Sequence, residues 1–88
     1  MEIIERQIPE EKCKYVYTLN TWKQKHLDEA RGYLEAGYYV RFASTAIGHT
    51  LSKTVAWEGI EKAIQEFGPR LEVIQRGGWG WLYTHFTE

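Results

Sequence analysis

Two glycine stops organise this sequence. Gly37, and Gly68 followed by Pro69, each close a run of helical periodicity and open a run of strand character. Before Gly37, apolar or aromatic residues recur at Trp22, Leu27, Ala30, Tyr33 and Leu34, one stripe at helical spacing. Thr21-Trp22-Lys23-Gln24 has the spacing of a capping box, so the helix is expected to start at Thr21. Gly32 weakens it by up to ~1 kcal/mol relative to alanine. Before Gly68, Ile60, Ala63, Ile64 and Phe67 form a second stripe over residues 57–67. Glu58 and Glu61 lie in its early turns, where negative charge is favourable.

The runs after the stops are of strand type. Residues 38–44, YYVRFAS, and 71–76, LEVIQR, are rich in β-branched and aromatic residues, as is KYVYTL at 14–19. Residues 2–8 read as a short edge strand stopped by Pro9. Gly77-Gly78 permits a tight turn before a last strand, WGWLYTHF, at 79–86. Residues 45–56 carry two patterns. Ile47, Leu51 and Val55 stand at four-residue spacing, as in a helix, while Leu51, Lys53, Val55 and Trp57 alternate with Thr50, Ser52, Thr54 and Ala56, as in a strand. Serine and threonine disfavour a helix interior, so a turn and a returning strand are preferred. The order is then β-α-β-β-α-β with an extra C-terminal strand. This predicts an α+β fold of the ferredoxin-like kind, with helices on one face of an antiparallel sheet.

The chain has 88 residues, enough for one core, so residues 1–88 are expected to form a single domain. Four Trp, six Tyr and three Phe supply that core, and they exceed what it obviously needs. The net charge of −1 lacks the basic excess of a phosphate-tracking nucleic-acid binder. The single Cys13 excludes a disulfide framework within the chain and a cysteine-rich zinc site. His26, His49 and His85 have no carboxylate at metal-ligand spacing, so no metal and no cofactor is expected. The start, MEIIERQIPEE, is unlike a signal peptide and no run approaches a membrane span, so a cytoplasmic setting is expected.

Two segments carry candidate site residues. In the last strand, alternation sets Trp79, Trp81, Tyr83 and His85 on one face and Leu82 and Phe86 on the helix-packed face. A row of rings with polar edges, beside Arg76, suits a protein partner, a second copy of the chain, or a stacked base in a nucleotide or short oligonucleotide. The alternative is that the row buries itself under the N-terminal strand. The second segment, Ser44-Thr45-Ala46-Ile47-Gly48-His49-Thr50, combines hydroxyls, a glycine and a histidine, which can bind a phosphate and supply a general acid. Turn formation alone also accounts for its composition.

Ser44-Thr45-Ala46-Ile47-Gly48-His49, after a helix ending in glycine, resembles the Ser-Ala-Ile-Gly-His stretch of the small viral ring nucleases that cut cyclic oligoadenylate messengers. Leu19-Asn20-Thr21 is similar to the end of that family's first strand. The resemblance implies that His49 acts as general acid and that the ligand is a cyclic nucleotide in a host cytoplasm. It also implies a helix after His49, where the residues read as a strand. The residues by themselves favour a non-catalytic binding or inhibitor module acting through the aromatic row as a homodimer. A cyclic-nucleotide sponge or ring-nuclease-like phosphodiesterase using Ser44, Thr45 and His49 is the alternative.

Overall fold

The computed structural model describes residues 3–5, 8–18, 21–44, 48–76 and 81–87. It has α+β architecture, with strands β1 (Ile3–Glu5), β2 (Cys13–Thr18), β3 (Tyr39–Ser44), β4 (Leu71–Arg76) and β5 (Trp81–Phe86). Helix α1 (Gln24–Glu35) joins β2 to β3, and helix α2 (Gly48–Phe67) joins β3 to β4. The strands form one five-stranded sheet in the order β1-β4-β5-β3-β2.

The sheet is mixed. β1 pairs parallel with β4, β2 pairs parallel with β3, and β5 runs antiparallel to both β3 and β4. Four strands therefore point one way, and β5 runs against them at the centre. The antiparallel ferredoxin-like arrangement expected above is corrected here, and the cause is residues 48–56. They are the first half of α2, so β3 is followed by a crossover helix instead of a hairpin. A helical crossover returns the chain parallel to β3, and a hairpin would have returned it antiparallel.

Both crossovers, β2 to β3 and β3 to β4, step across the sheet in the same direction. Right-handed connections then put both helices on one face. One core cluster on that face joins Leu27, Ala30 and Leu34 of α1 with Ile60, Ala63 and Phe67 of α2. Beneath them lie Val16, Val40, Phe42, Leu71, Val73 and Phe86 from four strands. The alternation expected in the last strand holds: Phe86 meets Phe67 on the helix side, and Tyr83 belongs to a separate cluster on the other face.

The helix ends follow local chemistry. At the C-terminus of α1, the Gly37 amide donates to the Leu34 carbonyl and the Tyr38 amide to the Tyr33 carbonyl. This is a Schellman motif. Gly37 has φ 92°, a conformation glycine adopts without strain. The Tyr33 and Tyr38 rings meet edge-on at 6.4 Å and supply its apolar contact. The N-terminus departs from expectation. Thr21 is not the cap, because its carbonyl accepts a 2.6 Å bond from the Thr18 hydroxyl and it stays outside the helix. Lys23 is the cap residue, and its amide donates to Nδ1 of His26 at 3.0 Å. Arg31 and Glu35 reach across the molecule: Arg31 pairs with Glu66 of α2 at 2.6 Å, and Glu35 with Arg70 at 3.2 Å.

Trp22 lies just ahead of α1 and is 4% exposed, edge-on to Phe42 at 5.0 Å and to His26 at 5.3 Å. Gly59 of α2 sits against it. A Cβ there would stand 2.8 Å from Trp22 Cε2 and 3.0 Å from Phe42 Cδ1. Glycine inside a helix is unfavourable by about 1 kcal/mol relative to alanine. Here it lets α2 approach the indole.

The second face is crossed by the N-terminal chain, which must pass from β1 at one edge to β2 at the other. Ile8 is 3% exposed and packs on Ile74 of β4 and Tyr83 of β5. The short 3₁₀ turn Glu10–Lys12 follows and leads into β2.

Candidate functional site at the carboxyl edge of the parallel strands

The register places the sequence-selected residues. On the helix-free face, Tyr15 stands beside Arg41, Arg41 beside Tyr83, and Tyr83 beside Ile74. Toward the amino ends of the parallel strands, Cys13 stands beside Tyr39, and His85 beside Glu72. Toward their carboxyl ends, Tyr17 stands beside Ala43, and Arg76 beside Trp81.

The aromatic row of β5 is thereby divided. Tyr83 is 1% exposed beneath Ile8 and is part of the second core cluster. His85 is half-buried and stacks on Tyr39 with ring centroids 4.2 Å apart and planes 18° from parallel. Its Nδ1 is buried and finds no hydrogen-bond partner among the described residues. Trp81 holds the carboxyl-edge position of the row, and its side chain is not described. Trp79 and Thr45 lie outside the described residues. Toward β2 the face stays more open. Tyr17 is 49% exposed and meets Tyr15 edge-on at 6.0 Å, while the Arg41 guanidinium lies 5.3 Å from the Tyr15 ring centre. The Tyr15 hydroxyl donates to Glu10 at 3.2 Å. Burial, with the nearby Tyr83 and Glu10, raises its pKa above the ordinary value of 10.0.

Ser44, His49, Arg76 and Trp81 converge on one edge of the sheet. β3 ends at Ser44, β4 ends at Arg76, β5 begins at Trp81, and α2 begins at Gly48. His49 is the second residue of α2. The first amides of a helix have no partner within it, and together with the helix dipole they favour an anion. β3 and β5 are paired only at Val40–Thr84 and Arg41–Tyr83, with no pairing between 42–44 and 81–82 among the described residues. By contrast, β2–β3 and β4–β5 are each paired over six residues. His85 is at the opposite end, so the structure does not bring it together with His49.

A cleft of about 340 Å³ lies on the helix side, between the start of α1 and the second half of α2. Trp22, Leu27, Gln24, Lys62 and Glu66 line it. Gln24 donates to Glu66 at 2.8 Å, so the rim is cross-linked by polar contacts. Sequence patterning gave no sign of it, because its walls come from residues about forty positions apart. No group of three or more His, Cys, Asp or Glu side chains suited to a metal ion occurs among the described residues. No helix among the described residues is long and apolar enough to cross a membrane. Comparison with protein-family models, with curated proteins and with solved structures returns no match to this chain.

Proposed function

We propose that this chain binds a phosphodiester ligand of the nucleotide class at the junction of β3 and α2, where Ser44 ends the strand and Gly48 and His49 begin the helix. One observation carries the reading. The segment picked out by its hydroxyls, glycine and histidine leads directly from the carboxyl end of β3 into the N-terminus of a twenty-residue helix. A hairpin would have offered turn-forming residues alone. A helix start offers oriented amides to a phosphate. Arg76 at the end of β4 adds a cation at the same edge, and Trp81 at the start of β5 adds an aromatic residue. The resemblance of Ser44–His49 to the viral ring nuclease stretch supplies the ligand class. A cyclic oligonucleotide is therefore the ligand to test first, with His49 as the group that would deliver a proton.

The experiment incubates the full chain with a panel of cyclic oligonucleotides and recovers the ligand. Intact ligand retained by the protein assigns sequestration. Linear product that disappears in His49→Ala assigns cleavage. If no nucleotide is retained or converted, the reading is wrong.

A second reading, a contact module acting on another protein through the helix-free face, is favoured by the exposed ring of Tyr17 and the Arg41–Tyr15 pair beside it. The closure of Tyr83 under Ile8 narrows that surface to the β2 side. Light scattering with and without partner, on wild type and Tyr17→Ala, tests it. Identical behaviour of the two would remove it.

A further inference from the structure

The two edges of the sheet are not alike. β1 closes one edge with three residues, the short kind of strand that offers little to pair with. β2 closes the other with six residues, paired without interruption to β3 and free of proline and bulge. Its outer side presents the backbone groups of alternate residues within 14–18, and no strand lies beyond it among the described residues. Protective charge is slight: Lys14 is the strand's one ionisable cation, and its ammonium lies over the Tyr38 ring at 4.9 Å. A long regular edge of this kind is a template for another strand.

We propose that β2 is the dimerisation strand of this protein, pairing antiparallel with β2 of a second copy to form one continuous sheet. The sequence of the strand argues for a copy of itself. Directly opposed residues must point to the same face, which restricts the symmetric registers to those centred on one residue. Centring on Val16 sets Tyr15 opposite Tyr17 of the second copy and Lys14 opposite Thr18, on both sides of the symmetry axis. Every like-charge opposition is avoided, and the exposed Tyr17 ring gains an aromatic cross-strand neighbour. The helix-free faces of the copies then join in a band of four tyrosines. A strand edge six residues long spans roughly 20 Å, at the small end of specific interfaces.

Sedimentation equilibrium on the full chain across a concentration series tests the proposal. The expected result is a monomer–dimer equilibrium that Tyr17→Lys weakens at least about tenfold, since lysine on an edge strand opposes pairing. Its melting curve should stay close to wild type, because Tyr17 is half exposed. Amide exchange on the wild type is the companion measurement, and the outward-pointing amides, on alternate residues within 14–18, should be slowed as concentration rises. A wild-type monomer throughout, an undiminished dimer in Tyr17→Lys, or exchange of those amides independent of concentration would each overturn the assignment. Should Tyr17→Lys fail to fold, the wild-type exchange data decide.

Discussion

Replacing Gly59 by alanine sets two effects of known size against each other. Alanine is better than glycine inside a helix by about 1 kcal/mol, and Gly59 lies well inside α2. Against that gain stands the new methyl group. It would lie 2.8 Å from Trp22 Cε2 and 3.0 Å from both Trp22 Cδ2 and Phe42 Cδ1. Carbon atoms prefer about 3.5–4.0 Å, so a rigid ring must retreat by roughly 0.7 Å. The indole meets Phe42 and His26 edge-on, so a shift disturbs both contacts. Overpacking of this kind costs typically about 1–3 kcal/mol, and the two ring contacts argue for the upper part of that range. The net expectation is a loss of about 1–2 kcal/mol, or a melting temperature lower by roughly 5–15 °C for a domain this size. Gly32→Ala is the matched control. No atom lies within 4 Å of a Cβ at Gly32, so the same substitution in α1 should stabilise by about 0.5–1 kcal/mol. Calorimetric melts of both variants give the answer. If Gly59→Ala is as stable as the wild type, the close approach of α2 to Trp22 is not what that glycine serves.

Three further predictions address the helix-free face. Ile8→Ala should cost about 2–4 kcal/mol by urea unfolding, because it uncovers Tyr83 and Ile74; a change under about 1 kcal/mol would mean the N-terminal crossing is only loosely laid down. His85→Phe should be neutral or stabilising by up to about 1 kcal/mol in the same assay, since it keeps a ring on Tyr39 and removes a buried nitrogen without a partner. Tyr15 should make stability fall in alkali. Its pKa is raised on folding, so its contribution is complete below the unfolded value near 10.0 and is lost as pH climbs through the folded value. Tyr15→Phe should flatten the decline of urea midpoint above pH 10, and an unchanged decline would assign it to other groups.

Local patterns were legible in the sequence, and long-range pairings were not. The stripe Ile60, Ala63 and Phe67 and the stop at Gly68 mark α2 from its second half, because those residues form the buried side of the helix. Its first half was ambiguous, since Leu51, Ser52, Lys53, Thr54 and Val55 fit period two as well as period four. The helix extends back to Gly48 despite the Ser and Thr that oppose it. That one choice changed the topology, because a crossover helix instead of a hairpin makes β4 parallel to β3. The placement of β5 at the centre, between β4 and β3, depends on contacts across forty residues that no local window contains. Of the candidate site, the alternation of Tyr83 against Phe86 could be read from the strand alone. The burial of Tyr83 under the N-terminal segment was one of two alternatives in the sequence, and Ile8 closes over it because the chain has to cross from one edge to the other.

The central claim is that the β3–α2 junction is a ligand site. The most direct measurement is a map of backbone amide shifts on the full chain during titration with a cyclic oligonucleotide. The account predicts that the largest changes fall at Ser44 and at Gly48, His49 and Thr50, with smaller ones at Arg76 and Trp81 on the same edge. Changes centred on Tyr15, Tyr17 and Arg41, or no changes at saturating ligand, would contradict it.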